Sequence, residues 1–361
     1  MVDPWSSWKL GSLEVCNRLV RSATWEGLAG EDGRPGRELA GLLERVAEGG
    51  AGLVVAGFAF VDPRGRALNG QTGVHDDVFL DDLASLADGI RRGGARSCIQ
   101  IGHCGVQLWR VLGERGWKAE GPSGGRGVEE MSSGRIRDLL GAFGRAAGRV
   151  KEAGFDAVQL HCAHGYLLSS FLSPRENRRT DEWGGKWENR VRFLLEVFGA
   201  VREAVGRDFP VWAKWNGRDY VEGGLDLEES LEAAALLAGE GLLDGIEVSG
   251  GVLDSGDLGI TRGPEAGEAY FLEDALVFAG RLSVPVGTVG GIRSLDAVVR
   301  VLERGLSFVS LSRPLIREPN LPEAWRSGVK RSSGCVSCNR CFVPALRGKG
   351  IRCMGPGRRR G

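Results

Sequence analysis

Short apolar runs alternate with amphipathic stretches along most of this chain. Eight runs rich in β-branched residues are bounded by glycine or polar turns, which is typical of buried strands. They lie at Arg18–Ala23, Gly52–Gly57, Ser97–Ile101, Asp156–Leu160, Val211–Lys214, Gly245–Val248, Val284–Val289 and Phe308–Leu311. Most gaps between them carry apolar residues at helical spacing, at Glu38–Ala47, Asp81–Arg92, Ile136–Ala153, Glu188–Val205, Leu227–Gly239, Tyr270–Arg281 and Leu295–Arg304.

Eight alternating strand and helix units predict a closed barrel. Alternation implies a parallel sheet, and eight units indicate a (β/α)8 TIM barrel rather than an open doubly wound sheet. An open nucleotide-binding sheet is disfavoured because the chain has neither a G-x-G-x-x-G after a strand nor a P-loop. We predict an α/β TIM barrel over residues 1–330 and a cysteine-rich segment over 331–361. Glycine-rich stretches at 102–134 and 250–267 are expected to form long loops after strands three and six.

Composition and charge indicate the class of partner. The 361 residues include 58 glycines, 42% are apolar and 26% are charged, as in a globular protein enriched in glycine. The 47 basic residues balance the 47 acidic ones, which favours a small-molecule substrate over nucleic acid. No stretch reaches the roughly 18 to 20 apolar residues of a membrane span, and the start lacks a signal-peptide pattern. We therefore expect a cytoplasmic protein that does not enter membranes.

Polar residues follow the predicted strands, and the carboxyl ends of the strands are where TIM barrels build active sites. Gly290 and Gly291 follow strand seven and Arg313 follows strand eight, a combination that suits a phosphate group. Gln100 ends strand three and Lys214 ends strand five; an amide and a fixed cation suit a planar heterocycle that gains negative charge on reduction. Flavin mononucleotide (FMN) meets both requirements, so we predict an FMN site.

Two histidines and a tyrosine follow strand four. His161 and His164 can donate hydrogen bonds to a substrate oxygen, and Tyr166 is placed to deliver a proton. Hydride from one face and a proton from the other would reduce a polarised double bond. Taken singly, a buried histidine or amide is often only a satisfied core residue, as His103 after strand three could also be. Their coincidence at one rim favours a catalytic site.

The run from His161 to Arg190, HCAHGYLLSSFLSPRENRRTDEWGGKWENR, closely resembles the signature of the old yellow enzyme family of NADH:flavin oxidoreductases. Supporting segments are NRLVRSAT at 17–24, QIGHCGVQ at 100–107, TVGGIR at 288–293 and SRPLIREPNLP at 312–322. The resemblance implies an FMN barrel that takes electrons from NAD(P)H. It implies that the cofactor contacts Thr24, Trp25, Gly57, Gln100, Lys214, Gly290, Gly291, Ser312 and Arg313.

In this family His161 and His164 would bind an α,β-unsaturated carbonyl compound and Tyr166 would protonate it. The sequence therefore predicts an FMN-dependent ene-reductase. Two positions depart from the common pattern: Trp25 stands where Thr or Cys is usual, and Lys214 stands where many members carry Arg. The lysine keeps the charge but not the two-pronged guanidinium.

Four of the eight cysteines, Cys335, Cys338, Cys341 and Cys353, follow the spacing C-x2-C-x2-C-x11-C. A three-cysteine run with a remote fourth suits a [4Fe–4S] cluster, and zinc held by four thiolates is the alternative. The segment resembles the iron–sulfur segment of the family branch that contains trimethylamine dehydrogenase and 2,4-dienoyl-CoA reductase, whose additional domains we expect to be absent. A cluster makes a second function plausible, an amine or other dehydrogenase that passes electrons to a redox protein partner.

Overall fold

The computed structural model describes residues 2–107, 119–125 and 127–355, and it has the predicted (β/α)8 TIM barrel. Each strand pairs in parallel with the next, and the eighth pairs with the first to close the barrel. The strands are β1 Leu19–Arg21, β2 Leu53–Phe60, β3 Arg96–Gly102, β4 Ala157–Cys162, β5 Val211–Asn216, β6 Ile246–Ser249, β7 Val286–Thr288 and β8 Phe308–Leu311.

All seven predicted helices are present, and four short ones are added. The helices of the described residues are α1 Arg37–Glu48, α2 Leu80–Arg92, α3 Ser133–Glu152, α4 Leu167–Leu172, α5 Trp187–Val205, α6 Leu227–Gly239, α7 Leu272–Arg281, α8 Leu295–Glu303, α9 Arg313–Arg317, α10 Leu321–Arg326 and α11 Phe342–Leu346. Side-chain caps set several starts: the Ser132 hydroxyl accepts from the backbone N–H of Arg135 at 3.1 Å, and Asp226 caps α6 in the same way.

An amino-terminal hairpin that the sequence pattern did not predict closes one end of the barrel. Its strands Trp8–Leu10 and Leu13–Val15 are antiparallel. The Trp8 ring stacks on Phe308 at 4.5 Å between centroids, among the residues that begin the barrel strands. Gly287 leaves room for Phe308, since a Cβ there would lie 2.3 Å from the ring. The opposite end, where the strands terminate, is therefore the open one.

The loops after β3 and β6 are long, as expected. In the described part of the first loop, Ala119–Gly121 pairs with Val128–Glu130; residues 108–118 and 126 of the predicted loop lie outside the described residues. The second loop holds two 3-10 turns, Leu253–Leu258 and Pro264–Ala266. Both loops follow the carboxyl ends of their strands and so surround the open end of the barrel.

The cysteine-rich segment packs on the open end of the barrel. The backbone N–H of Ile351 donates to the Glu26 carbonyl at 2.7 Å, and Cys341 and Ile351 cluster with Trp25. Treating residues 331–361 as a separate unit stays a prediction. No helix among the described residues is long and apolar enough to span a membrane, and the cytoplasmic location also stays a prediction.

Candidate functional site

One cavity of about 350 Å³ lies at the carboxyl ends of the strands. It brings together eleven of the twelve residues predicted for cofactor binding and catalysis. They are Thr24, Trp25, Gln100, His161, His164, Tyr166, Lys214, Gly290, Gly291, Ser312 and Arg313. Residues that are separated by almost three hundred positions in sequence therefore share one site.

Gly57 is the predicted cofactor residue that is not among those lining the cavity. It lies in β2 with φ +109°, and a Cβ there would approach the Gln100 carbonyl to 2.9 Å. The glycine thus lets β2 run close to β3 where Gln100 stands. A direct cofactor contact of Gly57 stays a prediction, whereas its neighbour Phe58 does line the cavity.

The turn after β7 has the backbone that a phosphate cradle needs. Gly290 and Gly291 both have positive φ, at +135° and +69°. A Cβ on Gly291 would lie 2.7 Å from the Gly267 carbonyl, and one on Gly290 would lie 2.9 Å from the Tyr270 ring. Only glycine fits both positions, which leaves the backbone open to the close approach of an anion.

Arg313 has a second role that the sequence did not reveal. Its NH1 donates to the carbonyls of Arg262 at 3.0 Å and Ser337 at 3.1 Å, and to Asn339 Oδ1 at 2.6 Å. Ser337 and Asn339 belong to the cysteine-rich segment. NH2 is only weakly engaged, 3.5 Å from the Tyr270 hydroxyl. One edge of the guanidinium therefore anchors the segment, and the other remains for an anion in the cavity.

A buried hydrogen-bond network supports the floor of the cavity. Lys214 Nζ donates to Ser22 Oγ at 2.7 Å and lies 3.6 Å from Glu247 Oε1. Gln159 links the network, since it accepts from Gln100 at 2.7 Å and donates to Glu247 at 3.0 Å. Burial lowers the pKa of Lys214, while the neighbouring carboxylate acts in the opposite direction. The orientation of both predicted floor residues is thus fixed by side chains beneath them.

His161, His164 and Tyr166 form one cluster in the cavity wall. The rings of His161 and His164 meet edge to face at 5.2 Å, and that of Tyr166 lies 4.5 Å from His161. His164 Nε2 is 2.7 Å from Ser249 Oγ, whereas the buried Nδ1 of His161 has no hydrogen-bond partner among the described residues. Burial lowers the pKa of both histidines well below 6.5 and raises that of Tyr166. At neutral pH all three groups are uncharged.

Thr24 and Trp25 connect the cavity to its surroundings in different ways. Thr24 Oγ1 lies 2.9 Å from Ser312 Oγ, which joins the ends of β1 and β8. The Trp25 ring packs against the buried cluster of Cys341, Ala345 and Ile351 in the cysteine-rich segment, and its buried Nε1 has no partner among the described residues. Phe342 also lines the cavity, so this segment forms part of the site's wall.

His103, which follows strand three, does not line the cavity. Its Nε2 lies 3.1 Å from Glu120 Oε1, next to Asp62, and these three are the one metal-type cluster found among the described residues. Arg135 donates to Asp62 at 2.8 Å and to Glu120 at 2.6 Å. A cation is thus already supplied by the protein, so the cluster is an ion-pair network and His103 has the structural role that the sequence left open.

The four predicted metal ligands line a second, smaller cavity together with Arg313 and Arg317. All four are free thiols, and burial raises the pKa of Cys335 and brings that of Cys341 to about 11. No three of these sulfurs lie within 4.8 Å of one another, since the one such cluster in the described chain is that of His103. The four cysteines thus line one cavity, and their role as metal ligands stays a prediction.

The sequence reasoning missed the side chains that lie behind the predicted residues. Ser22, Gln159 and Glu247 form the network under the floor, and Ser310 Oγ is buried in the cavity wall without a partner among the described residues. A signal was present for two of them, because Gln159 and Glu247 interrupt runs that are otherwise apolar. A polar residue inside such a run marks a position that faces the barrel interior.

Comparisons with known proteins show which family the chain is similar to. The sequence profile of the NADH:flavin oxidoreductase / NADH oxidase family matches residues 6–332. An NADH oxidase from Thermoanaerobacter brockii is 33% identical over 92% of this chain and 52% of its own length, and a 4,4'-dithiodibutanoate disulfide reductase from Rhodococcus erythropolis is 31% identical over 96% and 93%. The structure of a 2-naphthoyl-CoA reductase superposes with a TM-score of 0.91 at 28% identity, covering 97% of this chain and 56% of that one. The chain thus spans about half the length of two of these relatives.

Proposed function

Because this chain belongs to the NADH:flavin oxidoreductase / NADH oxidase family, we propose that it binds FMN and uses electrons from NAD(P)H to reduce the activated C=C bond of α,β-unsaturated carbonyl compounds. The observation that carries the proposal is the convergence of His161, His164 and Tyr166 with Lys214 and Gln100 in one cavity. Proton-donating groups and a cation for a reduced heterocycle are what this reaction requires.

The cavity has the groups that FMN needs. Gly290 and Gly291, with Ser312 and the free edge of Arg313, would hold the phosphate. Gln100 and Lys214 would hold the edge of the ring where negative charge collects on reduction. The orphaned hydroxyl of Ser310 in the same wall is a polar group that a ligand would satisfy. When bound, FMN supplies a hydride for transfer to the β-carbon of the substrate.

The two histidines would hold the substrate's carbonyl oxygen. Their lowered pKa values keep both rings neutral, so each ring offers one N–H. Because neither ring carries a positive charge, the site is not restricted to anionic ligands. Developing negative charge on the oxygen is stabilised by those two donors. Tyr166, whose raised pKa keeps its proton at neutral pH, would deliver that proton to the α-carbon.

The four cysteines would hold a [4Fe–4S] cluster. Thiolates on one zinc ion lie about 3.8 Å apart, because Zn–S bonds are about 2.3 Å long and tetrahedral. No three of these sulfurs lie within 4.8 Å of one another in the described residues, whereas a [4Fe–4S] cluster would bind each cysteine to a different iron and so hold the sulfurs further apart than one zinc ion does. Burial raises the pKa of Cys335 and Cys341 and so disfavours bare thiolates at these two positions, which a group that accepts their charge would stabilise. A structural zinc is the alternative.

A second candidate is a dehydrogenase that passes electrons outward through such a cluster, because Arg313 lines both cavities and links them. The rings of Tyr220, Tyr270 and Phe271 surround the guanidinium of Arg262 at 4.8 to 5.1 Å, and of these three only Tyr270 lines the cavity. This aromatic cage therefore holds a cation of the protein itself and gives no support to an amine substrate. The reductase therefore stands as the first proposal.

The test is an anaerobic purification followed by a visible spectrum and measurement of FMN, iron, sulfide and zinc per chain. We expect one FMN with four irons and four sulfides, and NAD(P)H-dependent reduction of 2-cyclohexenone. The variant Cys338→Ser is expected to lose iron and keep FMN. A protein that retains no FMN, or that binds FMN but reduces no enone from a panel, refutes the first proposal; one zinc without sulfide refutes the cluster.

A further inference from the structure

Although the net charge of the whole chain is zero, its carboxyl-terminal segment is strongly cationic. Residues 331–361 contain no Asp or Glu and eight basic residues: Arg331, Arg340, Arg347, Lys349, Arg352, Arg358, Arg359 and Arg360. The rest of the chain therefore carries an excess of eight acidic residues. A charge asymmetry of this size within a neutral protein gives one region a field that attracts anionic partners.

The cations of the described part of the segment are exposed and mostly unpaired. Arg331 pairs with Asp296, but Arg340, Arg347, Lys349 and Arg352 have no acidic partner among the described residues. Because no carboxylate among residues 2–107, 119–125 and 127–355 pairs with these four charges, no ion pair within that part of the chain competes with an outside partner.

The same segment exposes apolar side chains. Val336, Val343, Leu346 and Met354 are between 42% and 63% exposed. Val336 and Met354 line the four-cysteine cavity, and Cys338 itself is exposed. We call the exposed side chains of residues 336–354 the cysteine face. A few apolar groups among unpaired charges are the composition of a small transient interface.

We propose that the cysteine face is the docking surface for an acidic electron-carrier protein. The charge of the face selects an acidic partner, and the exposure of Cys338 would bring the partner's redox centre close to a group held by the four cysteines. The approach of the two redox centres rests on the proposed cluster, whereas docking itself rests on charge and exposure alone. Association should be fast, weak and strongly salt-dependent.

The test uses the purified chain and an acidic ferredoxin as the probe, with the dissociation constant measured by biolayer interferometry. The test variant combines Arg340→Glu, Arg347→Glu and Arg352→Glu. The matched control combines Arg207→Glu, Arg281→Glu and Arg300→Glu. These substitutions reverse the charge of exposed arginines in the segments that lead into β5, β7 and β8, at the opposite end of the barrel. We expect affinity to fall at least tenfold from 25 to 300 mM salt and at least tenfold in the test variant, but less than twofold in the control.

Three results would overturn the proposal: no binding of ferredoxin by the wild type, equal losses in both variants, or tighter binding of a short DNA duplex than of ferredoxin. Circular dichroism and FMN content of the test variant should match the wild type, because the reversed arginines lie outside the cavity lining. A chain that lacks FMN yet binds ferredoxin would refute the reductase and leave docking intact. Enone reduction without ferredoxin binding would refute docking and leave the reductase intact.

Discussion

The ion pair beneath the cavity floor gives the sharpest test of how this site is built. Lys214 Nζ lies 3.6 Å from Glu247 Oε1, and the glutamate side chain is fully buried. Lys214→Met keeps the length and most of the volume of the lysine but removes its charge. The buried carboxylate then has hydrogen bonds from Ser22 and Gln159 but no cation.

The size of the effect follows from the loss of one member of a buried ion pair. Removing one partner costs about 3 to 5 kcal/mol of unfolding free energy, because the other charge stays buried without a counter-ion. We therefore expect Lys214→Met to lose about 3 to 5 kcal/mol at pH 7.

The assay is urea unfolding followed by tryptophan fluorescence at several FMN concentrations, extrapolated to zero ligand so that lost cofactor affinity does not contribute. Lys214→Arg, which keeps the charge, should lose less than half as much. The double variant Lys214→Met with Glu247→Gln should lose about 2 kcal/mol less than the sum of the single variants. A loss in Lys214→Met that is additive with the loss in Glu247→Gln would show that packing rather than charge pairing governs the site.

Three further predictions concern the cavity. Tyr166→Phe should slow enone reduction about 100-fold or more while NAD(P)H-driven flavin reduction, followed by stopped flow, changes less than twofold; equal losses would contradict the proton-donor role. The pKa values of His161 and His164 are lowered in the folded state, so stability should fall as pH drops below about 6.5, by up to ~1.4 kcal/mol per histidine per pH unit, with a shallower slope in urea titrations of His161→Gln. Gly291→Ala should weaken FMN binding at least tenfold by fluorescence titration, because its Cβ would lie 2.7 Å from the Gly267 carbonyl, whereas Gly199→Ala in α5, with no atom nearby, serves as the control.

The strand and helix pattern was sufficient to predict the barrel because each buried strand reads as a local apolar run. The pattern misplaced the start of two elements, where a tertiary contact or a proline prevails over the local apolar pattern. β7 begins at Val286 rather than Val284 because Pro285 has no N–H for the sheet, and α7 begins at Leu272 because Tyr270 and Phe271 pack around Arg262 instead of entering the helix. The amino-terminal hairpin was missed because its burial depends on Phe308, nearly three hundred residues away.

The candidate site was predictable where a side chain follows a strand and unpredictable where it supports another side chain. Lys214 and Gln100 follow from the rule that strand ends form the site, but Glu247 faces the interior from β6 and acts through Lys214 and Gln159. His103 obeys the same positional rule and yet points to Glu120, because the loop that carries Glu120 folds back over β3. Position along a strand locates a residue at the rim, but the loops decide which way it faces.

Arg313 ties the flavin cavity to the cysteine-rich segment, and this coupling leads to a prediction that separates the two. Asn339→Ala removes the 2.6 Å acceptor of its NH1 and leaves the charge in the cavity, whereas Arg313→Lys removes both the anchor and the guanidinium. NH1 would still donate to the carbonyls of Arg262 and Ser337, so the change removes one hydrogen bond to a charged group, which is worth about 1.5 to 3 kcal/mol. We expect Asn339→Ala to lower iron content with FMN affinity within threefold of wild type, and Arg313→Lys to lower both about tenfold or more, as measured by metal analysis and fluorescence titration. If Asn339→Ala retains all of its iron, the hydrogen bond from Arg313 to Asn339 does not hold the segment, and its place is kept by the bond to the Ser337 carbonyl and by the packing of Trp25 against the cluster of Cys341, Ala345 and Ile351.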